Sequence, residues 1–391
     1  MKKIISFFFL LSILAACHAP TTTSSATQPA QAPSVQAPIV PTVTAVPQPI
    51  QAAVVSHPQF TALHMLTEMD GWGLTHEAVV RTEDGGLTWY NLTPTGISSL
   101  GYSVDSTFLD DQHAFIVTPD ETDPMHAGAF YRTQDGGLTW SFNSVPFGGG
   151  HLVFLDPSNG WIMADLGAGA GSNAIAIFQT TDGGATWTQT FINDPTAAGA
   201  SDGIPLGGLK MTFLPLNMQT AWVGGVVYSD GTVYLYRSDD GGHNWAQVTL
   251  PLPPGAAASQ PSIGDIQFPT PSDGFLSMIV PGDTTNTALY VTHDAGATWT
   301  LTPTLIPNGR SVDFVSAADG FIFNGDQLYV TRDAGQTWTI VAPDILFDQS
   351  FMSMDFVNAS AGWIVTSDPA TFEIGLYKTS DGGEKWTPQL K

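Results

Sequence analysis

Cysteine and basic side chains are scarce in this sequence. Its 391 residues include one cysteine, Cys17, so the chain cannot form an internal disulfide. Lysines and arginines total 11 against 35 aspartates and glutamates, which gives a formal net charge of -24. Nucleic acids and anionic lipid headgroups favour basic partners, and the charge balance therefore argues against both. After residue 16, no stretch is long and apolar enough to cross a bilayer.

The N-terminal 58 residues differ in composition from the rest. Residues 1–16, MKKIISFFFLLSILAA, combine two lysines, an apolar run and small residues, which predicts a secretory signal peptide. The sequence Leu14-Ala15-Ala16-Cys17 resembles the lipobox of bacterial lipoproteins, and this resemblance implies cleavage before Cys17 and its acylation. Residues 17–58, rich in Pro, Ala, Thr, Ser and Gln, predict a flexible linker. We therefore predict a lipid-anchored protein of the bacterial cell envelope that faces the periplasm or the exterior.

Seven near-copies of one octamer recur along residues 59–391. They read TEDGGLTW, TQDGGLTW, TTDGGATW, SDDGGHNW, THDAGATW, TRDAGQTW and TSDGGEKW. Their aspartates are Asp84, Asp135, Asp182, Asp240, Asp294, Asp333 and Asp381. The intervals of 51, 47, 58, 54, 39 and 48 residues between them are typical of repeat architectures with one supersecondary unit per period.

A second pattern keeps the same rhythm. A phenylalanine precedes an aromatic residue by seven positions in five units: Phe108 and Phe115, Phe154 and Trp161, Phe268 and Phe275, Phe314 and Phe321, Phe356 and Trp363. Short β-branched and aromatic runs between Gly, Asp and Asn clusters make each unit read as four strands, and no segment has a convincing helical period. The sequence predicts an all-β fold, a seven-bladed β-propeller of four-stranded blades over residues 59–391. The units could abut directly, or residues 53–57 could add an edge strand.

The residue types of the octamer predict a structural corner between the third and fourth strands. Its aspartate would accept backbone N–H bonds in a tight turn, and its glycine would supply a positive φ. Each octamer tryptophan would bury its apolar face beside the next blade. These tryptophans are Trp89, Trp140, Trp187, Trp245, Trp299, Trp338 and Trp386.

The octamer resembles the Asp-box, or BNR repeat, of sialidases, sortilin-type receptors, xyloglucanases and the photosystem II stability and assembly factor family. The resemblance covers about residues 59–391 and implies a propeller, while the box itself occurs in proteins of unrelated function. Size, repeat number and lipoprotein-like bacterial members favour the assembly-factor family. The sequence departs from that family in offering few cations for the basic patch that its members are thought to use.

The longest insertions fall on connections that a propeller places opposite the boxes. They are residues 118–130, 164–178, 191–210 and 250–265. Such loops tend to carry binding. The candidate binding residues of this face are Asp120, Glu121, Asp123, His126, Asp165, Asp194, Asp202 and Arg310. The first four form an acidic cluster that could hold Ca2+, although solvated surface acids are the simpler interpretation; no other cofactor is predicted.

From these features we predict a non-catalytic scaffold that binds a protein or glycan partner with the face opposite the boxes, and not an enzyme. The alternative is a glycoside hydrolase, sialidase-like or other, that uses carboxylates on the same face. A sialidase gathers three arginines on its substrate, but four of the five arginines here adjoin or lie in octamers. Other glycosidases need two carboxylates flanking a bond, and acids near the starts of the innermost strands could approach one another: Asp105, Asp265, Asp313 and Asp355. Chance placement is the default account of these four.

Overall fold

A computed structural model describes residues 52–390 except 98, 102 and 103. The predicted signal peptide, Cys17 and most of the predicted linker lie outside the described residues. The described part is all-β, as predicted, and its helical segments are two 3-10 turns of three residues each, Ala256–Ala258 and Asp348–Ser350. Within this part, no helix has the length and apolar character needed to cross a membrane.

The strands follow one another along the chain in antiparallel groups of four, called sheets 1 to 7 below. Sheet 1 contains β1 (Phe60–Met65), β2 (Gly71–Thr75), β3 (Val79–Thr82) and β4 (Tyr90–Asn91). Sheet 2 contains β5 (Asp105–Phe108), β6 (Ala114–Pro119), β7 (Gly128–Thr133) and β8 (Ser141–Val145). Sheet 3 contains β9 (Gly150–Phe154), β10 (Gly160–Gly169), β11 (Ser172–Thr180) and β12 (Thr188–Ile192).

The remaining groups repeat this arrangement. Sheet 4 contains β13 (Leu209–Pro215), β14 (Ala221–Val226), β15 (Tyr234–Ser238) and β16 (Ala246–Gln247). Sheet 5 contains β17 (Ser262–Gln267), β18 (Gly274–Val280), β19 (Asn286–Thr292) and β20 (Thr300–Pro307). Sheet 6 contains β21 (Ser311–Phe314), β22 (Gly320–Phe323), β23 (Leu328–Thr331) and β24 (Thr339–Val341). Sheet 7 contains β25 (Phe351–Phe356), β26 (Gly362–Ser367), β27 (Ile374–Thr379) and β28 (Thr387–Pro388).

Sheets 4 and 5 are continuous with each other. One residue pair, Val226 of β14 and Ser262 of β17, joins them into a single eight-stranded sheet. The other five sheets have four strands each. The pattern of short strands and turns predicted the groups of four, but not this lateral connection, because it depends on how two groups lie side by side.

Stacked aromatic rings join five of the seven sheets to the sheet before them. The phenylalanine of a first strand stacks on the aromatic residue that opens the second strand of the preceding sheet: Phe108 on Trp72, Phe154 on Phe115, Phe268 on Trp222, Phe314 on Phe275 and Phe356 on Phe321. Ring centroids in these pairs are 3.4 to 5.3 Å apart. Met65 of sheet 1 and Trp363 of sheet 7 share one apolar cluster, so the first and last sheets meet in the same way.

The glycine before this second-strand aromatic residue has a steric cause. A Cβ on Gly320 would lie 2.3 Å from the ring of Phe314, which folds back over its own sheet. Gly362 stands in the same relation to Phe356, with 2.5 Å. A side chain at either position would therefore displace a ring from the junction between two sheets.

Side chains also bond the first strands of neighbouring sheets to one another. The Asp105 carboxylate accepts the Leu152 N–H at 2.6 Å, and the Asp313 carboxylate accepts the Phe356 N–H at 2.6 Å. Asp355 of sheet 7 accepts the Met65 N–H of sheet 1 at 2.5 Å. These bonds satisfy backbone groups that no strand pairing reaches. The Asp355 bond adds to the contact between sheets 7 and 1, where Met65 and Trp363 share an apolar cluster.

Residues 53–55 lie along the outer strand of sheet 1. The Val55 N–H donates to the Trp89 carbonyl, and the Asn91 N–H donates to the Ala53 carbonyl, each at 2.8 Å. Val54 forms an isolated antiparallel bridge with Tyr90. The two arrangements that the sequence left open therefore coexist: the first and seventh sheets abut directly, and a short segment adds an edge to sheet 1.

Candidate functional site

The octamer of sheet 3 illustrates the geometry of all seven. The Asp182 carboxylate accepts the Thr186 N–H at 2.9 Å and the Thr186 hydroxyl at 2.7 Å. Thr180 donates its hydroxyl to the same carboxylate at 2.9 Å and accepts the Gly184 N–H. In the other six octamers the aspartate likewise accepts the N–H of the residue four positions on, at 2.8 to 3.0 Å.

Hydrogen bonding keeps the octamer carboxylates charged. In Asp294, the bonds from the Thr298 hydroxyl and backbone and from Thr292 lower the carboxyl pKa to about 2. The Thr337 hydroxyl and backbone likewise lower the pKa of Asp333. Each of these carboxylates bonds within its own loop, so they are separated from one another and do not gather into a common pocket.

The octamers share their face with the turns between first and second strands. The N–H of Gly85 donates to the Met69 carbonyl, and that of Gly183 donates to the Ser158 carbonyl, each at 2.8 Å. Equivalent bonds occur in the other five sheets, from Gly136, Gly241, Ala295, Ala334 and Gly382. We call this face the box face.

The octamer tryptophans pack against the preceding sheet, which corrects our expectation of the next one. Trp187 of sheet 3 contacts Phe130 of sheet 2 with centroids 5.5 Å apart, and Trp140 of sheet 2 donates its Nε1–H to the Leu92 carbonyl. The cause is the position of the octamer glycines. A Cβ on Gly184 would lie 2.1 Å from the Phe130 ring, so the loop already rests on the sheet before it. Spacing along the chain gave no indication of this direction.

The arginines of the box face are occupied by structural contacts. Arg81 lies over the Trp72 ring, Arg237 over Trp222 and Arg332 over Phe321, each 5.2 to 5.4 Å from the centroid. Arg132 donates to the Asp182 and Gly183 carbonyls of the next sheet. Arg310 donates to the Asp348 carbonyl. The described residues therefore do not bring three arginines together on a carboxylate, as a sialidase would require.

The acidic residues of the 118–130 loop bond to their own loop. The Asp120 carboxylate accepts the hydroxyl and N–H of Thr122, and these bonds lower its pKa. His126 Nδ1 lies 2.9 Å from the Asp123 carboxylate. Within the described ranges, no group of three or more His, Cys, Asp or Glu side chains is placed to hold a metal ion.

The other candidate residues are dispersed. Glu121 and Asp202 are exposed, and Asp194 accepts the N–H and hydroxyl of Thr196, which lower its pKa. Of the eight candidate binding residues, Asp165 lines a concave region of this face, while Arg310 lies apart from it.

That region is a cleft of about 540 Å³ between sheets 2, 3 and 4. It opens among the strand connections opposite the box face. Three of the four long insertions supply lining residues, and the fourth does not reach it. The polar lining groups are Asp105, His151, Asp165, Asn173 and Lys210.

Asp105 is a carboxyl with an elevated proton affinity. Burial raises its pKa to about 7, and the N–H groups of Leu152 and Ser106, which donate to the two carboxyl oxygens, oppose that rise only in part. The side chain is half-buried at the start of β5 and lines the cleft. It can therefore hold a proton near neutral pH and donate it to a bound molecule.

Asp165 presents a carboxylate to solvent across the same cleft. It follows the buried part of β10, where the strand bulges, and its carboxylate accepts the Gly167 N–H at 3.0 Å. His151 lies near enough to feel this charge. Burial lowers the pKa of His151 and the Asp165 charge opposes that change, so the imidazole is neutral at pH 7. The cleft thus holds carboxyl groups in two different environments.

Lys210 is a buried cation without an acidic partner. Its side chain is 4% exposed, and its ammonium donates to the carbonyls of Leu206, Asn173 and Gly208 at 2.7, 2.9 and 3.1 Å. Burial lowers its pKa to about 8. Because all three N–H groups of the ammonium are engaged, Lys210 holds loops in place and is not available to bind an anion.

The sequence contained a signal for His151 and Lys210 that our reasoning missed. Both stand three residues before the phenylalanine of a first strand, the position that Asp105 occupies in sheet 2 and Asp265 in sheet 5. Because side chains alternate along a strand, residues at the same distance from this phenylalanine face the same side of their sheets. Aligning the repeats on that phenylalanine would have shown a row of titratable residues at one end of sheets 2 to 5.

Comparison with curated proteins finds three relatives by sequence, and each is named a xyloglucanase. No family model matches the chain. A xyloglucanase from Hypocrea jecorina is 28% identical over 264 residues, covering 57% of this chain and 30% of the relative. A xyloglucanase from a Paenibacillus species is 26% identical over 197 residues, covering 45% of this chain and 18% of the relative. The chain thus spans less than a third of the length of these curated relatives.

Solved structures show the likeness in fold. The GH74 xyloglucanase of Xanthomonas campestris matches with a TM-score of 0.57 and 17% identity, covering 87% of this chain and 55% of that one. YCF48 bound to a D1 peptide also matches, with a TM-score of 0.44 and 18% identity, covering 73% of this chain and 85% of that one. The all-β arrangement of four-stranded sheets is therefore propeller-like.

These comparisons contradict two of our expectations. The prediction of a non-catalytic scaffold is wrong, and so is the prediction that the chain is not an enzyme, because the relatives found by sequence are named as enzymes that act on a glycan. The findings favour the alternative, a glycoside hydrolase. Sequence reasoning gave too little weight to that class because the boxes are shared with non-enzymes and the arginine count excluded sialidases alone.

Proposed function

We propose that this protein is a glycoside hydrolase that cleaves a neutral polysaccharide of the xyloglucan type in the cleft between sheets 2, 3 and 4. Similarity to three xyloglucanases supports the class of reaction. The charge of the cleft supports a neutral substrate. Among the described residues that line it, Lys210 is the sole lysine or arginine, and its ammonium is already engaged.

The observation that carries this proposal is the difference between the two cleft carboxyl groups. Asp105 has its pKa raised to about 7 by burial, whereas Asp165 is an exposed carboxylate. Hydrolysis of a glycosidic bond needs one carboxyl group that is protonated and one that is ionised. The cleft supplies both.

In the proposed reaction, Asp105 donates its proton to the glycosidic oxygen as the bond from that oxygen to the anomeric carbon breaks. Asp165 accepts a proton from the water whose oxygen forms the new bond to the anomeric carbon. The neutral His151 beside Asp165 adds a hydrogen-bonding group without a second charge. One water is consumed, and the two carboxyl groups exchange their protonation states until solvent restores them.

The test is hydrolysis of xyloglucan by the full-length protein, measured through the release of reducing ends. We expect Asp105→Asn and Asp165→Asn each to lower kcat by about 100-fold or more, the usual effect of losing a general acid or base. Activity of the wild-type protein should fall as the pH rises through about 7, since Asp105 then loses the proton it must donate.

Asp313→Asn is the matched control. The Asp313 carboxyl accepts a backbone N–H of the next sheet at 2.6 Å, as Asp105 does, and burial also raises its pKa to about 7. It does not line the cleft. The assigned roles would be refuted if both cleft variants kept wild-type hydrolysis, or if Asp313→Asn lowered hydrolysis as much as they do. A wild-type protein that is inactive on xyloglucan would refute the reaction.

We also propose that sheets 1 to 7 are the blades of one seven-bladed propeller with Asp-box repeats. The four-stranded groups, the aromatic stacking between successive sheets and the contacts of sheet 7 with sheet 1 support this arrangement. In it, the octamer aspartates hold their own loops together. Small-angle X-ray scattering would test the proposal, and we expect a profile with the dimensions of a closed ring.

We further propose that acylated Cys17 anchors the protein to the bacterial cell envelope and that the Pro-rich residues after it act as a linker. The lysine-led apolar segment and the lipobox-like Leu14-Ala15-Ala16-Cys17 support this proposal. Mass spectrometry of the mature N-terminus and detergent partitioning of Cys17→Ser would test it. An unmodified Cys17 in the mature protein would contradict it.

A further inference from the structure

A second groove lies beside the cleft. It has a volume of about 650 Å³ and is lined by residues of sheets 4 and 5, among them Met211, Tyr228 and Gln260. Its neighbour relation to the cleft follows from one strand. On β13, Lys210 lines the cleft, whereas Leu209 and Met211 line the groove, as the alternation of side chains along a strand requires.

A ridge of small residues separates the two depressions. We call residues 167–172 and 206–208 the glycine ridge. They read GAGAGS and LGG. A parallel bridge pairs Ser172 with Gly208, and the Gly208 N–H donates to the Gly171 carbonyl at 3.1 Å. The Lys210 ammonium holds the two segments together, since it donates to the carbonyl of Asn173, next to the first segment, and to those of Leu206 and Gly208 in the second.

Two glycines of this ridge, Gly169 and Gly207, are required neither by backbone conformation nor by packing. Gly171 and Gly208 have φ of +76° and +88°, a conformation that favours glycine. Gly169 and Gly207 do not have positive φ, and a Cβ at either would meet no atom within 4 Å. Backbone conformation and packing therefore permit a side chain at both positions. Their lack of side chains leaves open space over this part of the ridge, the crest between the cleft and the groove.

Tyr228 stands on the groove side of this crest. Its side chain is 61% exposed, and one edge of the ring packs on the ridge: a Cβ on Gly171 would lie 2.8 Å from two ring atoms. Most aromatic residues of the described part are buried between sheets, whereas Tyr228 is exposed, as are Phe142 and Phe372. A fixed, exposed ring offers an apolar face to the C–H face of a sugar at little entropic cost.

We propose that Tyr228 and the groove form a second sugar-binding subsite, which a neutral polysaccharide reaches by passing from the cleft over the glycine ridge. The inference rests on the proposed function for the identity of the chain in the cleft. The strand β13 that the two depressions share, the exposed ring and the open positions 169 and 207 support it. The described lining residues of the groove include no lysine or arginine and one acid, Asp230, which suits an uncharged chain.

The primary experiment measures binding of the full-length protein to polymeric xyloglucan by affinity electrophoresis. We expect Tyr228→Ala to weaken binding about tenfold, which corresponds to about 1.4 kcal/mol. Tyr228→Phe should retain binding because the ring remains. In hydrolysis, Tyr228→Ala should raise KM for the polymer by a similar factor and leave kcat unchanged, since Tyr228 is outside the cleft. Polygalacturonate, an anionic polymer, should not retard the protein.

A second set of variants blocks the path without removing Tyr228. Gly169→Trp and Gly207→Trp should each weaken polymer binding about tenfold, with an unchanged melting temperature. The matched control is Ala185→Trp on the box face. Its counterparts in other octamers are Leu87, Leu138 and His243, so that position accepts large side chains. Ala185→Trp should bind xyloglucan as the wild-type protein does.

The outcomes separate this inference from the proposed function. If the wild-type protein hydrolyses xyloglucan but Tyr228→Ala and both ridge variants bind like wild type, the subsite is refuted and the reaction stands. If the protein binds xyloglucan through Tyr228 but Asp105→Asn and Asp165→Asn change no activity, the subsite stands and the catalytic roles fail. A wild-type protein that neither binds nor cleaves xyloglucan overturns both.

Discussion

The box face and the face that carries the cleft use polar side chains in different ways. On the box face, the same residue types recur in every sheet, and their bonds close within a loop or onto a neighbouring sheet, as those of Asp182 and Arg132 do. On the cleft face, equivalent positions of successive sheets carry Asp105, His151 and Lys210, three different chemistries. Repetition maintains the contacts between sheets, whereas departure from repetition makes one region unlike the others.

This comparison explains why the octamers mislead as a guide to activity. A residue present in every repeat supports each unit equally, so it cannot by itself mark a single reaction site. The proposed catalytic groups lie where the repeats differ. This division implies that matched substitutions on the two faces should have different effects.

Removing a junction tryptophan should cost most. Trp222 is fully buried, stacks on Phe268 with centroids 5.1 Å apart, and lies under Arg237. We expect Trp222→Ala to lower the free energy of unfolding by about 3 to 5 kcal/mol. Tyr228→Ala, at an exposed position, should change it by less than about 0.5 kcal/mol. Urea unfolding measures both, and similar losses for the two variants would erase the distinction.

The pH dependence of stability should differ between the two kinds of acid. Burial raises the folded-state pKa values of Asp105 and Asp313 to about 7 and that of Asp355 to about 6. Their stabilisation is fully present below the unfolded pKa of about 3.9 and is lost as pH rises through these values. Thermal melts should therefore show Tm falling between about pH 5 and pH 7.5.

The octamer carboxyls act in the opposite sense. Because hydrogen bonds lower the pKa of Asp294 to about 2, its contribution is present above the unfolded pKa and disappears as pH falls towards 2. Stability should thus pass through a maximum in mildly acidic solution. Asp313→Asn should flatten the neutral limb and leave the acidic limb intact; a Tm that rises steadily from pH 5 to pH 8 would contradict the assignment.

Loss of one octamer carboxylate should have the smallest effect of the three. Asp182→Ala leaves the Thr186 N–H without its acceptor near the surface, and we expect a loss of about 1 kcal/mol. Asp202→Ala is the comparison on the cleft face, since Asp202 is exposed and has no hydrogen-bond or ion-pair partner among the described residues. Hydrolysis by folded Asp182→Ala should equal that of the wild-type protein. A drop in kcat would assign the octamer a part in the reaction.

The local features of the fold could be predicted from the sequence because their causes are local. The four-strand groups follow from short apolar runs between turn residues, and the turn at Asp182 is set by residues within four positions of it. The first-strand phenylalanines were visible as a spacing of seven. Their stacking partners were not, because Phe154 stacks on Phe115 of another sheet rather than on Trp161.

The site could be predicted less well because its parts meet across sheets. Asp105 bonds to Leu152, 47 positions away, and the two carboxyls of the cleft belong to different sheets. Asp165 was among our candidate residues, but it stood beside seven others that nothing in the sequence ranked below it. Burial, which raises the pKa of Asp105, arises only when sheets 2 and 3 come together.

The contacts that bring sheet 7 against sheet 1 are of the same kind as those between sheets 6 and 7. No strand from one end of the described chain completes a four-stranded group at the other end. Val55 and Leu390 nevertheless share an apolar cluster, so the two ends lie side by side. A circular permutant that joins them with a few residues and opens the chain between two other sheets should fold, since every junction would keep its own partners.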